Sequence, residues 1–115
     1  MAQPSGFGSE VAIFATGTAV NNTVTMLTTV ADDIYLIKSI FVCNVDTGAA
    51  KIAITVNDGS NDRNILIDQI INIDSTFIWS DTLFINGAGN IKILETSGGQ
   101  LVHWMINYIH QDWSS

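Results

Sequence analysis

The chain has 115 residues, of which 47% are hydrophobic and only 13% are charged, so we expect one folded domain with a real core, not a disordered segment. Eleven acidic residues against four scattered basic ones give a net charge of −7, which would repel phosphate backbones and argues against nucleic acid as a partner. No apolar run approaches the roughly 18 residues of a membrane-spanning helix, so no membrane is expected either. The one cysteine, Cys43, excludes a disulfide within the chain.

The first nine residues contain proline, two glycines and no apolar periodicity. We therefore predict that residues 1–9 form a flexible arm, with residues 10–115 as the folded domain. Arms of this kind can pack on a partner, and Pro4 and Phe7 are the candidate contact residues in it.

The next segments predict β-strands. Residues 10–15 are a short apolar run, and the apolar residues among 20–27 are interleaved with asparagine and threonine. Two strands around an Asn21-Asn22 turn are possible here. Residues 34–45 are the strongest interior strand, apolar on both faces. Strict alternation predicts that one face of this strand carries Tyr35, Ile37, Ser39, Phe41 and Cys43.

The middle of the chain alternates more cleanly. Residues 51–57 place Ile52, Ile54 and Val56 on an inward face, and residues 57–62 (Asn-Asp-Gly-Ser-Asn-Asp) are the plainest turn in the sequence. Residues 63–73 show a phase shift that indicates either a β-bulge or a short helical turn. Shorter runs follow, separated by Ser, Asp, Asn and Gly.

The closing run, residues 100–110, carries large apolar groups on both faces. Such a strand is either central between two layers or part of a subunit interface. We therefore name Trp104 and Tyr108 as candidate subunit contacts, together with Trp113, which follows the run and needs a cover for its indole.

About eight strands with turn signals every ~8–12 residues are typical of a sandwich or jelly roll. The expected fold is all-β, a single-domain antiparallel β-sandwich of jelly-roll type.

Candidate chemistry is sparse. His103 and His110 lie seven residues apart on opposite faces of one strand, roughly 23 Å from each other, so they cannot share a metal within one chain. Only a threefold axis could gather three copies of His103 around an ion. The acidic turn at residues 57–62 lacks the bidentate glutamate of an EF-hand, and Asp32 and Asp33, as neighbours on an extended chain, point apart.

No nucleophile has an evident base. We predict no catalytic residue, no cofactor and no metal, and hence no enzyme; a metal-dependent enzyme such as a cupin would need a histidine cluster. The other class that stays open is a carbohydrate- or receptor-binding module that stacks a host glycan on its aromatic side chains, namely Trp79, Trp104, Trp113, Tyr35 and Tyr108.

The order of segments resembles a widespread kind of small tailed-bacteriophage virion protein, a β-sandwich with capsid-decoration, collar or tail-fibre roles. The residues that carry the resemblance are Ile-Tyr-Leu-Ile-Lys-Ser-Ile-Phe-Val-Cys-Asn at 34–44, similar to a "vksI-x-v-c-N" strand, the hairpin partner at 48–56, the isoleucine-rich segment at 65–73 and the strand at 101–110. Two departures are His110-Gln111-Asp112, where relatives often have an acidic residue, and Ala31-Asp32-Asp33, where they often have a proline turn.

This resemblance implies a non-enzymatic structural protein located on the virion, at the capsid surface or the tail. Its first expectation is a capsid decoration (cement) protein that binds the major capsid protein or other virion proteins as a homotrimer. Decoration at sites of local threefold symmetry repeats a modest interface many times, so avidity can replace a single strong site. The alternative within this class is a tail, collar or fibre component.

Overall fold

The computed structural model describes residues 10–96 and 99–111. Within these ranges the chain contains nine strands and no helix. The strands are β1 (Glu10–Ala19), β2 (Thr23–Thr29), β3 (Ile34–Asn44), β4 (Ala50–Asn57), β5 (Asp62–Ile71), β6 (Thr76–Trp79), β7 (Leu83–Asn86), β8 (Gly89–Glu95) and β9 (Val102–Gln111).

The strands form two antiparallel sheets. Sheet A has the order β1-β9-β3-β6, with β7 also paired to β3, and sheet B has the order β2-β8-β4-β5. Strand β6 pairs with the second half of β3 and β7 with its first half, so the two short strands occupy one position in sheet A. The resulting eight positions, filled by a chain that repeatedly crosses between the sheets, are those of a jelly roll. The prediction of a jelly-roll sandwich is confirmed, and the strand count is nine because residues 80–82 interrupt one position.

The core lies between the two sheets and is dominated by isoleucine, a β-branched residue that packs well on a pleated surface. Completely buried isoleucines come from both sheets, and the alternation predicted for residues 51–57 is confirmed by the burial of Ile52 and Ile54. The inner face is built from Ile37, Ile40 and Ile106 of sheet A and Ile52, Ile54, Ile91 and Ile93 of sheet B.

A bulge in β3 makes the face assignment from strict alternation wrong. The pairing of β3 with β9 shifts between Ile37 and Ser39, so one extra residue is accommodated and the alternation changes phase. As a result Ile40 and Val42 are buried in the core, whereas Phe41 and Cys43 point to the outer face of sheet A.

Two looser predictions are resolved by the backbone. The phase shift in residues 63–73 is a bulged strand and not a helical turn, because β5 shifts register twice against β4 and Asp68 has a φ of 53°. The two strands around Asn21 are present, with Asn21 at a φ of 48°, but β1 and β2 belong to different sheets.

The predicted arm, with Pro4 and Phe7, and the predicted contact Trp113 lie outside the described residues. The domain boundaries therefore stay a prediction. In the part of the chain that the structure describes, no helix has the length and apolar character needed to cross a membrane.

Candidate interaction surface

The outer face of sheet B is largely polar, and its exposed isoleucines, Ile67 and Ile70, lie on the edge strand β5. Because the strands are in register, its side chains form rows across the sheet, and the central row consists of Thr25, Lys92, Thr55 and Asn64. The groups pair with one another: Asn57 Nδ2 donates to Asp62 Oδ1 at 2.9 Å, and Lys92 Nζ lies 3.2 Å from Asp62 Oδ2. This face is typical of a solvated sheet surface.

The outer face of sheet A, by contrast, is largely apolar. One row across the sheet consists of Thr16, Met105, Phe41 and Ile78, and another of Ala12, Ile109, Leu36 and Phe84. Its most exposed members lie on the edge strands: Phe14 is 65% exposed, Phe84 59% and Ile78 52%. The partly exposed Leu36, Phe41, Met105 and Ile109 lie between these edges, and a large apolar surface of this kind is a candidate interaction surface.

Charge is nearly absent from this face. The strands of sheet A contain one basic residue, Lys38, and one acidic residue, Glu10, which the pairing places in the terminal row beside Gln111. Between the two apolar rows of sheet A, Asn107 Nδ2 donates a hydrogen bond to Ser39 Oγ at 2.9 Å. These two polar side chains therefore satisfy each other.

A shallow groove of about 510 Å³ crosses one end of the same face. Its floor includes His103 and Cys43, which are direct cross-strand partners, with Thr18 and Thr76 on either side of them. No group of three histidine, cysteine or carboxylate residues that could hold a metal occurs among residues 10–96 and 99–111. Within one chain the groove therefore offers a thiol and an imidazole, and otherwise apolar and hydroxyl surface.

The predicted contact residues of β9 lie on its inner face. Trp104 is 6% exposed and belongs to the core, where its indole lies so close to Gly17 that a Cβ there would come within 2.4 Å of Cζ2. Tyr108 is half-buried against the core, 6.2 Å from Tyr35, and burial raises the pKa of its hydroxyl. The outward-facing side chains of β9 include those of His103, Met105 and Ile109.

Burial takes two of the five aromatic side chains considered for a glycan out of reach of a ligand, whereas Tyr108 is partly exposed and Trp113 lies outside the described residues. Trp104 and Tyr35 are buried, and the indole nitrogen of Trp79 is buried although its ring is partly exposed. A sugar ring needs an exposed aromatic face, which Trp104 and Tyr35 do not provide.

A partly buried hydrogen bond between a histidine and an aspartate fixes one end of the sandwich. His110 Nε2 lies 2.8 Å from Asp33 Oδ2, and the imidazole stacks on Tyr35 with 4.4 Å between ring centroids. The Asp33 carbonyl also accepts a hydrogen bond from the Gly87 amide. The pair joins the β2–β3 turn, β9 and the β7–β8 turn, so it has a structural role that sequence reasoning missed because its members lie 77 residues apart.

At the opposite end of β3, Asn44 joins the two sheets. Its buried amide nitrogen donates to the carbonyls of Gly48 and Ile71, and its oxygen accepts from the Asp46 amide. This is the asparagine of the Val-Cys-Asn segment noted in the sequence, and its three hydrogen bonds give that segment a structural reason.

The acidic hairpin between β4 and β5 is a turn held by its own carboxylates. Asp58 Oδ1 accepts hydrogen bonds from the backbone amides of Asn61 and Ser60, and these bonds lower the pKa of Asp58. The carboxylate oxygen is occupied by the turn itself, as in an Asx-turn. The preference for a solvated hairpin tip agrees with this arrangement.

No protein-family profile and no curated protein matches this chain. Among solved structures, the chain is similar to one in the acid-stable capsid of Helicobacter pylori bacteriophage KHP30, with a TM-score of 0.60 and 5% identity over 87% of each chain. It is also similar to the infectious bursal disease virus VP2 subviral particle, with a TM-score of 0.59 and 11% identity over 91% of this chain and 33% of VP2.

A third similar structure belongs to the Bacillus endospore appendages, described as disulfide-linked pili, with a TM-score of 0.52 and 16% identity over 91% of this chain and 88% of the pilus chain. The chain spans about a third of the bursal disease virus proteins it matches. At these identities the likeness establishes a shared fold, a jelly-roll sandwich that occurs in proteins of assembled particles and filaments.

Proposed function

We propose that this chain is a non-enzymatic structural protein of a tailed-phage virion, and that it binds the capsid as a homotrimeric decoration protein. The observation that carries the proposal is the outer face of sheet A, an apolar surface with a single basic residue on a protein whose net charge is −7. A face of this kind is unfavourable in water and favourable in an assembly.

The fold supports the same conclusion. Jelly-roll sandwiches occur in a phage capsid and in a viral particle with TM-scores of 0.60 and 0.59 to this chain. A decoration protein meets the capsid at many equivalent sites, so each copy needs only a modest interface.

We propose the N-terminal arm, with Pro4 and Phe7, and the segment that contains Trp113 as contacts to the major capsid protein. Deleting residues 1–9 should leave the sandwich folded, because β1 begins at Glu10, and should weaken attachment to virions. Circular dichroism and the amount of protein that co-sediments with virions measure the two effects. Loss of folding would instead make the arm part of the core.

The direct test of location is immunogold electron microscopy of intact virions with an antibody against this protein. The proposal predicts gold on the head. Gold on the tail, collar or fibres would favour the alternative role in this class, and its absence from virions would contradict both.

A pilus-like filament subunit is the second candidate, since the fold likeness covers most of the pilus chain. The single cysteine disfavours a disulfide-linked filament, because one thiol per chain can join only two chains. Electron microscopy of the purified protein distinguishes the two, with discrete particles expected for the decoration protein and fibres for the filament.

A further inference from the structure

We infer that the outer face of sheet A is buried against the same face of two other copies of this chain, around a threefold axis. This inference rests on the assembly role proposed above and identifies both the surface and its occupant. The sheet surface is defined by the rows of Thr16, Met105, Phe41, Ile78 and of Ala12, Ile109, Leu36, Phe84, with Phe14 between them.

Charge favours a second copy as the occupant. Copies that each carry a net charge of −7 repel one another unless they meet where carboxylates are absent. Of the ten acidic residues in the described part of the chain, nine lie outside the strands of sheet A, and Glu10 lies at the start of β1. The margins of the face therefore hold Glu10 and, in the turn between β6 and β7, Asp81, while its interior holds one charged side chain, Lys38. Like copies can approach each other on this face with little repulsion between carboxylates, provided that the three Lys38 side chains extend to the rim of the contact.

Its size is also appropriate. Four strand positions about 4.8 Å apart and strands of about 33 Å give a flat footprint of roughly 600 Å². Specific interfaces bury about 800 Å² per partner, so the whole face, and not only the groove beside His103, is needed for a stable contact. Apolar patches on monomers rarely exceed this size.

The width of the sheet fits a threefold axis. If the outer faces of three copies form the sides of a triangle, each side is one sheet width, about 19 Å. The centre of that triangle is then roughly 5.5 Å from each sheet, close to half of the distance between two packed sheets. Side chains from three such faces would therefore fill the interior without a channel. In this arrangement β1 of one copy meets β6 and β7 of the next. The contact would then cover the highly exposed Phe14 of β1, Ile78 of β6 and Phe84 of β7.

The test compares two aspartate substitutions on this face with one on a different surface. Phe84→Asp and Phe14→Asp change opposite edges of the outer face of sheet A, at side chains that are already mostly exposed, so each monomer should still fold. Ile67→Asp is the matched control because Ile67 is 61% exposed on β5, the edge strand of sheet B. The measurement is light scattering coupled to size-exclusion chromatography, with circular dichroism as the check of folding.

We expect three times the chain mass for the wild type and for Ile67→Asp. Phe84→Asp and Phe14→Asp should raise the dissociation constant at least about 100-fold, because each places a charge in an apolar contact. A monomeric or dimeric wild type would overturn the inference, as would trimers of both face variants. Face variants that stay trimeric but no longer bind virions would assign this surface to the capsid protein instead.

Failure of this inference and failure of the proposed function give different experimental results. A trimer that forms through this face but is absent from virions contradicts the proposed function and leaves the inference standing. A protein that decorates virions as a monomer overturns the inference and the trimeric part of the proposed function, and leaves the decoration role standing.

Discussion

The two outer faces of the sandwich differ in polarity, whereas the two inner faces are both apolar. Both sheets contribute buried isoleucines to one core, but the central row of sheet B presents threonine, asparagine and lysine to the exterior, and its exposed isoleucines, Ile67 and Ile70, lie on the edge strand β5. Sheet A presents phenylalanine, isoleucine, leucine and methionine to the exterior. A fold needs only one apolar face per sheet. The second apolar face of sheet A is therefore not required for folding, and it points to a contact outside the chain.

The largest expected difference in stability is between substitutions on the inner and the outer face of β9. Ile106 is completely buried, whereas its neighbour Met105 belongs to the outer face. Ile106→Ala should lower the free energy of unfolding by about 2–5 kcal/mol through cavity formation. Met105→Ala should cost the monomer less than Ile106→Ala, about 1 kcal/mol, because Met105 is only partly buried within the chain.

Urea denaturation of both variants in a monomeric background, such as Phe84→Asp, measures this difference. Equal losses of stability would mean that the outer face already contributes to the fold of one chain, and the comparison between the sheets would fail.

The second effect concerns β1, where Gly17 faces the core and Thr16 faces outward. A Cβ at Gly17 would lie 2.4 Å from Trp104 Cζ2, so Gly17→Ala must displace a buried indole and should destabilise the chain by about 1–3 kcal/mol. In the monomeric Phe84→Asp background, Thr16→Ala on the outer face of the same strand is the matched control and should change stability by less than about 0.5 kcal/mol. Thermal unfolding gives the stability, and tryptophan fluorescence reports whether the indole moved.

The smallest effect concerns the acidic hairpin of sheet B. Hydrogen bonds from the Asn61 and Ser60 amides lower the pKa of Asp58 in the folded chain, so its carboxylate contributes stability above its unfolded pKa of about 3.9 and loses it as the pH falls through the folded pKa. Asp58→Ala should therefore lower Tm slightly at pH 7, and the difference from wild type should shrink below about pH 4.

Thr18→Ala on sheet A is the control for this pH dependence, because that substitution removes no titratable group. A Tm difference for Asp58→Ala that stays constant down to pH 2 would show that the carboxylate charge does not support the turn.

Period-two alternation predicted the class of fold, most strand positions and the inner face of β4. It failed in β3, because both faces of that strand are apolar and no signal marks the bulge at Lys38. Trp104 was assigned to the surface for the same reason: when both faces carry large apolar groups, the sequence does not say which one is the core. The Asp33–His110 pair could not be predicted, since it depends on how distant turns meet.

The interaction surface was predicted only in outline. Two-sided apolar strands indicated a contact, but its most exposed members, Phe14, Ile78 and Phe84, lie on edge strands whose neighbours follow from the topology and not from local pattern.

The central claim is that copies of the chain cover the outer face of sheet A, and the single cysteine provides the most direct measurement. Cys43 lies on that face, partly exposed in one chain. The rate of its alkylation by a maleimide, compared between wild type and Phe84→Asp at equal concentration, reports whether the face is covered. We predict that the wild type reacts at least about tenfold more slowly, because association at a tight interface removes the thiol from solvent. Equal rates in the two proteins would contradict the claim.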